Sequence, residues 1–201
     1  MIAIIDYDAG NLKSVEKALD FLGEDTVISR DRDEILSADR VILPGVGSFG
    51  DAMAKLKSYN LINTIYDVVD RGIPFLGICL GLQLLFESSQ ESEGVTGLGM
   101  LKGNILRIPD TPGLKIPHIG WNSLNLINDG RLFKGIEENS YVYFVHSYYL
   151  KAEEQEIVKA TAMYGTKIHA SVEKGNVFAC QFHPEKSGEI GLKILKNFVS
   201  L

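Results

Sequence analysis

The chain of 201 residues lacks the marks of several large protein classes. Its two cysteines are too few for a disulfide scaffold, and in a reducing compartment such a pair reads as free thiols. No Cys/His cluster stands at zinc-ligand spacing. No apolar run reaches membrane-spanning length, which argues against a membrane protein. Lys and Arg total 20 against 26 Asp and Glu, a formal charge of −6 with no basic cluster. Such a surface offers no footprint for nucleic acid and is repelled by an anionic membrane. The glycine-rich loops lack the Gly-Lys-Ser/Thr ending of a phosphate loop. There is no internal repeat, low-complexity tract or linker. Met1 leads straight into a strand-like segment with no basic leader, so a cytoplasmic protein is expected. Small molecules or proteins remain as partners. With 45% hydrophobic and 23% charged residues, the length suits one α/β domain over residues 1–201.

The organising stretch is residues 72–87. Residues 75–78 form a short apolar run without polar alternation, as in a strand buried on both faces, and 82–86 read as a buried helix. Cys79 sits at the junction, flanked by Gly77 and Gly81 in Gly-x-Cys-x-Gly, the spacing of a nucleophile elbow. A helix N-terminus favours a thiolate, and the Leu80 N–H would point where an oxyanion develops. The alternative is a buried structural cysteine between two packing glycines.

Strand, turn and helix alternate through the first half. Residues 2–6 read as a strand, followed by a helix with apolar stripe Leu12, Val15, Leu19 and Leu22, which Asn11 could cap. Residues 26–29 and 40–43 are further strands, the latter ending in the glycine-dense loop 44–50 before a helical 51–57. A helix over 61–70 delivers the chain into the Cys79 strand. This alternation implies a right-handed, mostly parallel sheet with ligands at the strand carboxyl ends. Beyond an acidic, solvated loop at 88–93, segments 104–108, 141–149, 157–162, 167–172 and 177–182 carry strand composition. The second half is therefore expected to be more antiparallel, with a closing helix over 188–201.

A thiolate that attacks a carbonyl needs a base, and the base an orienting group. Among the four histidines, His183 stands in His183-Pro184-Glu185 directly after an apolar strand. Pro184 keeps the tripeptide extended, so Glu185 can reach one ring nitrogen and leave the other for a thiol. His169, inside an alternating strand, reads as structural, and Cys180 as a packed, inert thiol.

With these motifs in place the sequence resembles the class I, triad-type glutamine amidotransferases over nearly its whole length. The stretch 77–83 matches their nucleophile motif, and His183-Pro184-Glu185 their base and acid in the expected order. Residues 44–50, 117–122 and 144–148, with Lys186-Ser187, resemble the glutaminase subunits that serve a (β/α)8-barrel cyclase in histidine biosynthesis. Asp8 departs from the glycine usual at that turn, and aspartate tolerates turn conformations. The resemblance implies a single-domain, mostly parallel sheet flanked by helices, with added antiparallel strands. It implies hydrolysis of L-glutamine to glutamate and ammonia without a metal or organic cofactor, and delivery of the ammonia to the cyclase within a heterodimer. By position, Cys79 is the nucleophile, His183 the base and acid, and Glu185 its orienter. Leu80 and Val46 would supply the oxyanion hole. Gly47, Gln83 and the backbone around His146, Ser147 and Tyr148 would hold the amino-acid end of glutamine. Asn11, Trp121 and Lys186 would face the cyclase near the ammonia exit. Rival readings are a cysteine hydrolase of the α/β-hydrolase type, a non-enzymatic thiol sensor, and the glutaminase of another amidotransferase. The hydrolase usually places its acid before the histidine, whereas Glu185 follows it.

Overall fold

A computed structural model describes residues 1–8 and 10–201. In chain order the elements are β1 (Ile2–Ile5), α1 (Leu12–Phe21), β2 (Thr26–Ser29), α2 (Arg32–Leu36), β3 (Arg40–Leu43), α3 (Phe49–Ser58) and α4 (Leu61–Asp70). There follow β4 (Phe75–Ile78), α5 (Leu80–Leu84), β5 (Ser88–Ser89), β6 (Gly103–Arg107), β7 (His118–Ser123), β8 (Asn125–Leu126) and β9 (Tyr141–His146). The chain closes with β10 (Tyr148–Ala152), β11 (Val158–Tyr164), β12 (Thr166–Lys174), β13 (Val177–Cys180) and α6 (Gly188–Val199).

Among the described residues the main sheet has the order β2-β1-β3-β4-β13-β12-β11-β8. Pairings from β2 across to β13 are parallel, and those from β13 to β8 antiparallel. The parallel strands carry unbroken apolar runs because both faces are covered. Ala3 and Ile5 join Phe49, Leu56, Ile65 and Val68 on the α3–α4 face. Ile2 and Ile4 join Val15, Leu19, Ile194 and Phe198 on the α1–α6 face. The mixed α/β class and the division into a parallel and an antiparallel half are those the sequence implies.

Four local readings are corrected. The tripeptide 183–185 is not extended throughout: His183 is, but Pro184–Lys186 form a 3-10 turn in which the Lys186 N–H donates to the His183 carbonyl. The stretch 141–149 is two strands, not one: β9 pairs with β7, and after Ser147 the chain enters another sheet as β10 on β6. The loop 88–93 contains β5, paired with β6, and Ser89 is buried. Asn11 stands before α1 at φ 76° but makes no capping hydrogen bond with its side chain.

Candidate active site

β3, β4 and β13 lie side by side, and their carboxyl ends deliver the loop 44–47, Cys79 and the segment 181–185 to one place. Cys79 has φ 55° and ψ −108°, a conformation that costs a non-glycine residue about 1–3 kcal/mol. The surroundings hold it there. Its N–H donates to the Cys180 carbonyl (2.7 Å), and its own carbonyl accepts from Leu82 and Gln83 as α5 begins. The flanking glycines are required by close approach: a Cβ on Gly81 would lie 1.9 Å from the Leu43 carbonyl oxygen, and one on Gly77 2.7 Å from the Gly81 oxygen. The Leu80 N–H is the first amide of α5, one of those no helix can pair internally.

His183 begins where β13 leaves the sheet, its N–H donating to the Tyr143 carbonyl. Its Nδ1 lies 2.7 Å from Glu185 Oε1, and both side chains are sealed from solvent. Asn11 Nδ2 donates to the same carboxylate oxygen. The other imidazole nitrogen, Nε2, is buried without a hydrogen-bond partner among the described residues, and Cys79 is near enough to act on the charge of the ring. Burial alone would lower the His183 pKa, but Cys79 and Glu185 outweigh it and hold the ring up at about 10. The Cys79 sulfur is 3.7 Å from Gln181 Nε2 and 3.9 Å from the Val145 carbonyl. Cys180 is fully buried, and burial first, then Glu185 and Cys79, push its thiol up.

Cys79 opens into a cavity of about 260 Å³. Of the residues expected there, Val46, Gly47, Leu80, Gln83, His146, Ser147, Tyr148 and His183 line it. Glu185 stands behind His183, and Asn11 reaches that carboxylate from outside the cavity. Trp121 is 55% exposed with its ring edge-on to Tyr143, and Lys186 is exposed. Glu91 also lines the cavity, with one carboxylate oxygen tied to the Phe49 N–H at the start of α3. It sits in a stretch whose acidic composition resembles a solvated loop, so nothing local marks it.

A buried hydrogen-bond chain backs the cavity. The Tyr148 carbonyl can only accept, so His146 Nδ1 carries a proton toward it (2.8 Å). The neutral ring then accepts at Nε2 from His118 Nδ1 (3.1 Å). Burial, slightly opposed by the Tyr148 bond, pushes His146 down to about 3, and burial brings His118 to about 4. Both rings are therefore neutral at pH 7. Only the β7–β9 register, which places His118 opposite His146, brings this pair together.

A thiol at a strained strand-to-helix turn, near a histidine held by a buried carboxylate and at the mouth of a cavity, is the arrangement that cysteine-dependent acyl transfer uses. The chain belongs to the class-I glutamine amidotransferase family, whose model matches residues 3–201. It is 53% identical over 201 residues to "Imidazole glycerol phosphate synthase subunit HisH" of Methanocaldococcus jannaschii, covering 100% of both chains. To the protein of the same name in Moorella thermoacetica it is 52% identical, covering 100% of this chain and 94% of the relative. A crystal structure of a glutamine amidotransferase superposes with a TM-score of 0.77 at 18% identity, covering 100% of this chain and 98% of the other. PurLQS from Thermotoga maritima superposes at 0.75 with 25% identity, covering 99% and 97%.

Proposed function

We propose that the protein is the glutaminase subunit of imidazole glycerol phosphate synthase in histidine biosynthesis, with Cys79, His183 and Glu185 as its triad. The observation that carries this reading is the convergence of Cys79 and the buried His183–Glu185 pair on one cavity that also holds a carboxylate, Glu91. Glutamine brings a cationic α-amino group, for which Glu91 is the complementary charge, and a carboxamide carbon for the sulfur. Identity near 50% to HisH subunits along the whole chain supports the same assignment.

The reaction begins when the Cys79 thiol proton passes to His183 Nε2, which leaves a thiolate beside an imidazolium. The thiolate attacks the carboxamide carbon, and the carbonyl electron pair moves onto oxygen, where the Leu80 and Val46 N–H groups would receive it. His183 Nε2–H gives its proton to the departing nitrogen, releasing ammonia and leaving a glutamyl thioester. Neutral His183 then takes a proton from water, the hydroxide adds to the thioester, and collapse expels the thiolate and glutamate. Glu185, fixed by Asn11, keeps the Nδ1–H in place throughout. No step calls on a metal or organic cofactor.

The ammonia passes to a (β/α)8-barrel cyclase partner, where it enters imidazole glycerol phosphate. Trp121 and Ile119, 55% and 60% exposed on β7, form an apolar surface of the kind subunit interfaces cover. Asn11 and Lys186 belong to the same reading of that face.

The test is glutamine turnover in the co-purified complex, with adduct mapping by an electrophilic glutamine analogue. Cys79→Ala should abolish activity and the adduct, while Cys180→Ala should retain both. An adduct confined to Cys180 would overturn the assignment.

A further inference from the structure

We infer that Gln181 is a further catalytic residue, whose side-chain amide donates to the Cys79 sulfur and stabilises its anionic form. The assignment rests on Cys79 being the nucleophile. Gln181 is fully buried, and its backbone N–H is fixed on the Ala170 carbonyl. A buried amide has to place both its donor and its acceptor. Which end faces the sulfur is forced by the neighbouring groups. The Tyr148 carbonyl can only accept, so Gln83 presents Nε2 to it at 3.1 Å. The same Nε2 lies 3.0 Å from Gln181, which must answer with Oε1. That leaves Gln181 Nε2 toward Cys79, 3.7 Å from Sγ.

A neutral thiol accepts such a bond weakly, whereas a thiolate accepts it as a charge-assisted bond about twice as strong. The donor therefore favours the ionised sulfur in the free enzyme. It acts again when the thioester is hydrolysed: the C–S bond breaks, its electron pair returns to sulfur, and the Gln181 N–H meets the charge. Gln83 links this to the cavity it lines, since cooperative polarisation along Gln83–Gln181–Cys79 connects substrate contacts to the nucleophile.

The titratable groups acting on or responding to the sulfur are His183, Tyr7 and Cys180, and Glu91 and His146 share its cavity. All remain in Gln181→Met, which keeps the length of the side chain without a donor, and in Gln181→Asn, whose amide falls short of the sulfur. The experiment measures alkylation of Cys79 by iodoacetamide against pH, with Cys180→Ala as background. The pH midpoint should rise by about one unit in both variants, equal to roughly tenfold slower alkylation at pH values below both midpoints. In the unsubstituted enzyme the Gln181 side-chain amide resonances should move with the same midpoint, and should stay still in Cys79→Ser. This second measurement needs no variant at position 181 to fold. An unchanged midpoint in the variants, or amide resonances indifferent to Cys79 ionisation, would overturn the assignment. Alkylation needs no glutamine, so an enzyme that fails to turn over glutamine would defeat the glutaminase reading separately.

Discussion

The Asn11 side chain donates to Glu185, not to the backbone of the helix it precedes, so its reach is toward His183 through the carboxylate. A role confined to the partner face would show itself only in the complex. Because Asn11 donates to Glu185 from behind and does not line the cavity, the proposed triad predicts that Asn11→Ala lowers kcat about tenfold in the isolated subunit, with KM for glutamine little changed. Steady-state kinetics of the subunit alone checks this, and a defect seen only with the cyclase present would return Asn11 to the interface. Gly81 makes a second demand at this scale. A Cβ there meets the backbone oxygen of Leu43 at 1.9 Å, and backbone has no rotamer to yield. Gly81→Ala should therefore cost at least about 2 kcal/mol in urea unfolding and displace Cys79. Gly45 likewise serves packing, since a Cβ there would lie 2.5 Å from the Tyr7 hydroxyl and 2.9 Å from the Leu80 Cβ.

The β7–β9 ribbon is closed at one end by two neutral, buried histidines, and that makes it sensitive to acid. Their folded pKa values lie below the unfolded value of 6.5, at about 4 and about 3. As pH falls below 6.5 the unfolded chain takes up protons that the folded rings refuse, so stability declines and levels only below the folded values. His183 has the opposite sign: raised to about 10, it contributes stability fully below pH 6.5 and loses it as pH rises through 10. At pH 5 the penalty is about 2 kcal/mol per buried ring. His118→Gln should be less stable than the parent at pH 7, having lost the stack between Phe144 and Tyr164, yet lose less between pH 7 and pH 5. Urea titrations at the two pH values decide it; equal losses would show that His118 takes up its proton without cost. The same ribbon marks where the sequence was hard to read. The Cys79 elbow and His183-Pro184-Glu185 are legible because each is a local constraint: small residues at fixed spacing, and a proline that keeps the preceding His183 extended before the 3-10 turn of Pro184–Lys186. The His118–His146 pair exists only through strand register, across 28 positions of chain. Residues 141–149 are strand formers apart from His146 and Ser147, and neither is a turn signal strong enough to show the break between sheets. Gln181 reads as one more strand residue until Gln83 and Tyr148 are placed beside it. Glu91 is hidden by its acidic neighbours for the same reason.

At the scale of the whole molecule, the cavity joins two halves: parallel strands that present Cys79 and the loop 44–47, and the β9–β10 segment that presents Ser147 and Tyr148. Within that loop the two glycines differ. Gly45 is held by Tyr7 and Leu80, whereas Gly47 has φ 102° and open space where a Cβ would stand. The Val46 N–H that would complete the oxyanion hole belongs to the Gly45–Val46 peptide, and Gly47 lets the backbone that follows take up a turn of that unit at little steric cost. Losing one of two such donors typically costs about 10²- to 10³-fold in rate. A glutaminase that feeds a partner gains from keeping that peptide unproductive until the partner is loaded, because ammonia made earlier is lost. On the proposed reading the partner would seat on the apolar face bearing Trp121 and Ile119, and docking there with ligand bound need bias the loop by only a few kcal/mol to change the active population by orders of magnitude. The expected outcome is a kcat for glutamine that is low in the isolated subunit, higher in the complex, and highest in the complex with the nucleotide acceptor or a mimic. Replacing Gly47 with alanine would penalise φ 102° and should shift the ratio among the three states more than it shifts KM. Equal kcat in all three states would rule out the switch and leave an ungated glutaminase, in which the open space at Gly47 serves substrate entry alone.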